Sequence, residues 1–265
     1  MRLLARRHVL KISLVASAGV PALAACGEPS PNGPGTNSAL TRVHVMGTIH
    51  SRHRNSELYS LDALEAAIRR ANPDVILTEI PPERVAKAFE SFEATGAVDE
   101  PRTNVFPEYT DVIIPLAGAQ NWRVLGTAAW TPSIARDRGR ALTAIENDPA
   151  RAAQWAEHRA ARREFAQKVR GKSDDPHFIH TPEFDRLVAK SREPYARNFD
   201  ADLGAGGWTQ INAAHNALIN EALNTLAGQG FRVLITFGTA HKYKIIESLS
   251  QRDDVTFEDT QSLFA

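Results

Sequence analysis

The chain has 265 residues, with 31 basic and 31 acidic side chains, 43% hydrophobic residues and a single cysteine. This length fits one large domain or two small ones, and the composition excludes a disordered or fibrous protein. A net charge of zero argues against a nucleic-acid binder, and one cysteine excludes a disulfide framework or a Cys-rich metal site.

The first 25 residues have the pattern of an export signal. Four basic side chains are followed by an uncharged, mainly apolar stretch over residues 12–25. The sequence LAAC, which ends at Cys26, resembles a bacterial lipobox, and RRHVLK at residues 6–11 resembles the twin-arginine export signal. We therefore predict removal of residues 1–25 and lipidation of Cys26, which would hold the protein at a membrane on its periplasmic or extracytoplasmic side. The alternative is a buried cysteine in an N-terminal helix.

Residues 26–42 are predicted to be a flexible tether, because they are rich in Gly, Pro, Ser and Asn and almost free of apolar residues. A lipid-anchored domain needs such a segment. Removal of residues 1–25, which carry four basic and no acidic side chains, would leave the mature chain mildly acidic. This strengthens the argument against nucleic acid as a partner.

Strand and helix patterns alternate over residues 43–265, which we predict to be a single domain. Apolar runs predict strands, and repeats at helical spacing lie between them, including one that ends before Asn72-Pro73 and one over residues 111–119. This order predicts an α/β fold with a mainly parallel central sheet and flanking helices. The segment 132–196 is charged and predicts a helical insertion that caps one edge of the sheet. The predicted strands are 43–48, 75–79, 123–126, 232–237 and 255–258.

Two of these strands end in the same motif. Gly47-Thr48-Ile49-His50 follows the first, and Gly238-Thr239-Ala240-His241 follows the fourth. Ligands of open parallel sheets bind beyond the carboxyl ends of the strands, so both histidines would lie at that edge. The glycines allow a tight turn or a close backbone approach, and either threonine could bind a ligand or cap the next turn.

Glu79 directly follows the second strand and would lie at the same edge. Two imidazoles and a carboxylate can serve either of two chemical roles, metal binding or general-base catalysis. His50, Glu79 and His241 could bind a divalent metal (Mn, Co or Zn) that leaves one position for water. Alternatively, one histidine could act as a general base toward water while Glu79 fixes its tautomer.

These motifs resemble those of the TraB/TIKI superfamily (TraB/GumN-like proteins), a group that also includes the erythromycin esterases and the ChaN haem-binding lipoproteins. The resemblance covers residues 43–260 and implies two βαβ-containing halves around a cleft, with metal-dependent peptide cleavage, metal-independent ester cleavage or ligand binding alone. The family usually adds an arginine before the second motif. Here His215 stands at that place and would stabilise negative charge only when protonated, whereas Arg197 lies upstream and could supply the guanidinium.

The sequence thus predicts an exported, lipid-anchored hydrolase that cleaves an amide or ester bond in a small molecule or peptide. His50, Glu79, His241 and Arg197 are its predicted catalytic residues. The alternative is a surface lipoprotein that binds haem, a metal or another small ligand without turnover. Glu108 precedes the predicted helix that leads into the third strand, and it could also reach the site. The predicted ligand-binding residues are Gly47, Thr48, Gly238, Thr239 and His215.

Overall fold

The strands form one parallel sheet. The computed structural model describes residues 39–265; the predicted signal, Cys26 and the tether up to residue 38 lie outside this range. Within it the strand order is β3–β2–β4–β1–β5, and every pair is parallel. The strands are β1 (Thr41–Thr48), β2 (Val75–Thr78), β3 (Arg123–Gly126), β4 (Arg232–Gly238) and β5 (Val255–Phe257).

Helices connect the strands and cover both faces of the sheet, so the predicted α/β class is confirmed. A π-helix (Glu108–Ile113) and short 3₁₀ turns, including one at His50–Arg54, complete the described part of the chain. The α-helices are α1 (Leu61–Ala71), α2 (Pro82–Thr95), α3 (Ile114–Gln120), α4 (Pro132–Asn147), α5 (Ala152–Lys168), α6 (Pro176–Ile179), α7 (Pro182–Leu203), α8 (Trp208–Leu226) and α9 (Lys242–Leu249).

The central strands are apolar on both faces because each face packs against helices. Along β1, Val43 and Val45 point to one core and Met46 to the other, as the two-residue repeat of a strand requires. The first core contains the apolar residues of α8 and α9, and the second contains those of α1 and α3. Three adjacent strands, β2, β4 and β1, are thereby covered by helices on both faces.

Local sequence signals account for the helix boundaries. Ser60 caps α1, its side chain accepting a hydrogen bond from the Ala63 N–H at 3.2 Å. The same helix ends at Asn72, which adopts a left-handed conformation (φ +42°) before a proline. The predicted helix over 111–119 is instead a π-helix that runs into α3.

Two predicted boundaries differ from the structure. β1 begins at Thr41, so Thr41 and Arg42 belong to the sheet and not to the tether. The helical insertion extends beyond residue 196 to Leu203, the end of α7. Its side chains pack with Ala240 and Tyr243, directly after β4, so the insertion covers the sheet at its carboxyl edge. No helix among residues 39–265 is both long and apolar enough to cross a membrane.

Candidate functional site

The two Gly-Thr-x-His motifs lie side by side at the carboxyl edge of the sheet. β1 and β4 are neighbours, and their register places Thr48 opposite Gly238. The loops that follow carry His50 and His241 to opposite sides of Glu79. The His50 Nε2 lies 3.9 Å from Glu79 Oε2, and the His241 Nε2 lies 3.8 Å from Glu79 Oε1. The structure therefore brings together the three residues on which the predicted site depends.

Glu79 is buried between the two loops, with 7% of its side chain exposed. Its Oε2 accepts a hydrogen bond from the Gly238 N–H at 2.7 Å, and its own N–H donates to the Tyr109 hydroxyl at 2.9 Å. Burial raises the pKa of Glu79, against the opposing effects of His50 and the Gly238 N–H. This carboxyl group therefore holds a proton more readily than an exposed glutamate does.

Glu108, the first residue of the π-helix, orients His50. It is fully buried, and its Oε1 accepts hydrogen bonds from His50 Nδ1 at 2.7 Å and from the Thr48 hydroxyl at 2.8 Å. Burial alone would raise the pKa of Glu108, but the hydrogen bond and charge of His50 outweigh it and the pKa is lowered. An ionised carboxylate only accepts, so Nδ1 carries the proton and Nε2 of His50 faces Glu79.

The surroundings of His50 make its imidazole a stronger base than an exposed histidine. Burial would lower its pKa, but the hydrogen bond and charge of Glu108, together with the charge of Glu79, outweigh burial and raise it. One third of the side chain (34%) is exposed to solvent. Glu108, Glu79 and His50 thus form a connected set of acid and base groups.

The backbone of His50 adopts a left-handed conformation. His50 has a positive φ of +52°, a conformation that non-glycine residues adopt at a cost of roughly 1–3 kcal/mol and that is frequent at functional sites. The ring then occupies the space beside Gly238, where any β-carbon would overlap His50 Nε2. Glycine at position 238 is therefore required for the close approach of the two loops.

His241 is held as a neutral ring. Its Nδ1 lies 2.8 Å from Asn212 Oδ1, and the Asn212 amide nitrogen donates to the Trp208 carbonyl at 2.7 Å, which fixes the amide orientation. Nδ1 of His241 is therefore the donor, and its Nε2 is an acceptor facing Glu79. Trp208 stacks on the ring at 5.0 Å between centroids. Burial, together with the charge of Arg192, keeps the pKa of His241 well below its usual value.

His215 is also neutral, but in the opposite tautomer. Its Nδ1 accepts a hydrogen bond from the Ala129 N–H at 2.9 Å, so the proton of the neutral ring lies on Nε2. Burial lowers its pKa to about 4. The Nε2–H is buried and has no hydrogen-bond partner among residues 39–265. The centres of the His215 and His241 rings lie 5.2 Å apart. In this tautomer the neutral ring has an N–H donor at Nε2, whereas the sequence led us to expect that His215 would need a positive charge; its part in a site stays a prediction.

Arg197 does not lie in this cluster. It is on the exposed side of α7, where it pairs with Glu193 and Glu157. The guanidinium that α7 brings toward the site belongs to Arg192, which lies 4.5 Å from the centre of the Trp208 ring.

The remaining predicted ligand-binding residues make contacts within the protein. The Gly47 N–H donates to His180 Nε2 at 3.0 Å, and a β-carbon at Gly47 would lie 3.2 Å from the Thr239 methyl group. The Thr48 hydroxyl binds Glu108, and its carbonyl accepts from the Thr239 N–H at 3.0 Å. These residues fix the two loops against each other.

Sequence reasoning missed the hydrogen-bond partners of the two histidines. The sequence predicts that Glu108 lies near the edge of the sheet but does not predict its hydrogen bond to His50. Nothing in the sequence pairs Asn212 with His241 or singles out Arg192. The described residues, 39–265, contain no group of three or more His, Cys, Asp or Glu side chains arranged to hold a metal ion.

Comparisons of the chain with protein-family models, with curated proteins and with solved structures gave no significant match.

Proposed function

We propose that the chain is a hydrolase that cleaves an ester or amide bond in a small molecule or peptide, with water as the nucleophile. The position of His50 carries the proposal. Its Nδ1 is held by the buried carboxylate of Glu108, while its Nε2 faces Glu79 and part of the ring is exposed. An imidazole oriented through one nitrogen and free at the other is the arrangement of a general base.

In the proposed reaction, a water molecule beside His50 Nε2 attacks the carbonyl carbon of the substrate while Nε2 takes one of its protons. Glu108 stabilises the imidazolium that forms. Glu79, whose raised pKa favours its protonated form, gives its proton to the leaving oxygen or nitrogen as the C–O or C–N bond breaks. Glu79 Oε2 lies 3.9 Å from His50 Nε2, too far for direct transfer, so the proton on His50 returns to Glu79 through one water molecule, which restores both groups.

Negative charge on the attacked oxygen requires a hydrogen-bond donor. His215 offers one, since its Nε2–H has no partner within residues 39–265 and its ring lies next to His241. A neutral imidazole can act as such an electrophile when its pKa is low, because it does not lose its proton to the reaction. We assign this role to His215 in place of Arg197.

A divalent metal such as Mn, Co or Zn would be held by His50, Glu79 and His241 and would supply a Lewis acid. Their free nitrogen and oxygen atoms are suitable in type. The two histidines, however, approach different oxygens of Glu79, and no set of three ligands surrounds one point in the described chain. The proposed steps therefore use protein groups alone.

Membership of the TraB/TIKI superfamily and anchoring through Cys26 are part of the same proposal. The paired Gly-Thr-x-His motifs support the first, and the basic, apolar and LAAC pattern of residues 1–26 supports the second. An exported lipoprotein would meet its substrate on the periplasmic or extracytoplasmic side of the membrane.

The test measures hydrolysis of ester and peptide panels by the purified protein, with and without added Mn, Co or Zn. We expect His50→Ala and His241→Ala to lower kcat by at least about 100-fold, as loss of a general base or its neighbour does. His177→Ala is the control, because His177 is exposed on α6 and has no role in the proposed reaction. Unchanged activity and metal uptake in both variants would overturn the proposal. Saturable haem binding with a shifted Soret band and no turnover would favour the ligand-binding alternative.

A further inference from the structure

Arg192 is a half-buried cation for which the described part of the chain provides no ion-pair partner. Burial, together with the charges of Arg162 and Arg138, lowers the pKa of Arg192 against the opposing effect of two tyrosines, Tyr195 and Tyr243. Its guanidinium lies over the Trp208 ring, 4.5 Å from the ring centre, which stabilises a cation but does not neutralise it. A charge withdrawn from water without a partner is unfavourable, so this arrangement is one that an anion would complete.

The acids of the two helices that surround Arg192 are already engaged. The α5 and α7 helices contain seven Asp and Glu residues, and each has another partner. Arg162 and Arg192 form no ion pair within residues 39–265. The engaged acids are Glu157 and Glu193 with Arg197, Glu164 with Lys190, Glu183 with Lys172, Asp185 with Lys242, Asp202 with Arg151, and Asp200 at the N–H groups that begin α8.

Arg162 and Arg192 line the same cavity, of about 110 Å³, between α5 and α7. Its third wall is formed by Thr239 and Ala240, the middle residues of the second Gly-Thr-x-His motif. His241 follows directly, and Trp208 contacts both the His241 ring and the Arg192 guanidinium. The cavity therefore adjoins the candidate catalytic cluster without containing any of its acids or bases.

We propose that this cavity binds a small oxyanion carried by the substrate, a carboxylate or a phosphate group, through Arg162 and Arg192. Guanidinium groups bind both anions through paired N–H···O hydrogen bonds. The inference rests on the proposed hydrolase function, since it names the class of substrate that the His50–Glu79–His241 cluster would cleave: an anionic ester or amide whose charge lies a short distance from the scissile bond.

The test is calorimetric titration of the full chain with inorganic phosphate and, separately, with acetate at low ionic strength. We expect saturable binding of at least one of them, weakened about tenfold or more by Arg192→Gln and by Arg162→Gln, and weakened by added salt. Arg197→Gln is the matched control, because Arg197 lies on the same helix but is exposed and paired with two glutamates. The anion that binds with the higher affinity identifies the anionic group of the substrate.

Arg192→Lys keeps the positive charge but removes the planar guanidinium with its paired N–H donors. This variant therefore separates the effect on anion binding from any effect on folding. We expect it to melt as the unmodified protein does and to bind the anion more weakly. Absence of binding to the unmodified chain, or equal binding by all variants, would overturn the inference.

The two proposals fail in distinguishable ways. His50→Ala removes the proposed base and should leave phosphate or acetate affinity unchanged. Anion binding without hydrolysis of any substrate would refute the proposed function and support the cavity assignment. Hydrolysis with equal kcat/KM for anionic substrates and their neutral isosteres would refute the cavity assignment alone.

Discussion

Replacement of Glu108 by glutamine tests the central contact of the proposed mechanism. Glu108 Oε1 accepts two hydrogen bonds, from His50 and from Thr48, whereas Oε2 is buried with no hydrogen-bond partner in the described part of the chain. If the glutamine oxygen takes the place of Oε1, its NH₂ group is buried without an acceptor, which costs about 1–3 kcal/mol of unfolding free energy. If the amide is reversed, NH₂ meets two donors and the His50 ring must change tautomer, so that Nε2 is no longer a base.

Either outcome lowers the rate, and we expect kcat to fall by roughly 10²–10⁴-fold. The hydrogen bond and charge of Glu108 raise the pKa of His50, so their loss lowers that pKa. His50 would then stay unprotonated to lower pH, and the acidic limb of the kcat/KM profile should move to lower pH while its plateau falls. NMR titration of the His50 ring gives the same shift without any substrate.

Glu100→Gln is the matched control. Glu100 is also a buried glutamate, but it binds Arg84 and the N–H groups of a loop away from the cluster. Its replacement should lower stability and leave the pH profile unchanged. An unaltered profile together with kcat within twofold in the Glu108→Gln protein would refute the role assigned to Glu108.

Three further predictions concern other parts of the chain. Gly238→Ala should displace His50 and lower kcat at least about 100-fold by steady-state assay, whereas Gly118→Ala, which meets no atom within 4 Å, should not. Burial lowers the pKa of His215 to about 4, so its contribution to stability is present above pH 6.5, the unfolded value, and is lost as pH falls toward 4. Urea unfolding at pH 7 and pH 4.5 should show this loss, and His215→Phe should reduce it; an equal loss in both proteins would contradict the assignment. Cys26→Ser should abolish acyl incorporation and membrane fractionation, and normal anchoring of this variant would exclude lipidation at that residue.

The carboxyl edge of the sheet could be predicted because the signals are local. Apolar runs that end in Gly-Thr-x-His place His50 and His241 at the ends of strands, and parallel pairing then brings the strand ends to one edge. Glu79 follows from the same reasoning. These residues lie in a regular part of the fold, where sequence position determines spatial position.

The partners that tune these groups could not be predicted, since they come from irregular or distant elements. Glu108 reaches His50 from a π-helix, whose extra residue per turn changes the direction of the side chain relative to an α-helix. Arg192 and Arg197 are five residues apart on α7, and only the packing of that helix against Trp208 determines which guanidinium faces the site. Helical periodicity alone places Arg192 and Arg197 on different faces of α7 but does not show which face packs against the rest of the domain.

The direction of β1 has a practical consequence for handling the protein. The described chain enters the sheet at Thr41, at the amino end of this strand, whereas His50 follows its carboxyl end. Eight residues of extended backbone separate the two edges by about 26 Å. A tag or fusion joined directly before Thr41 is therefore attached at the edge of the sheet opposite the candidate site.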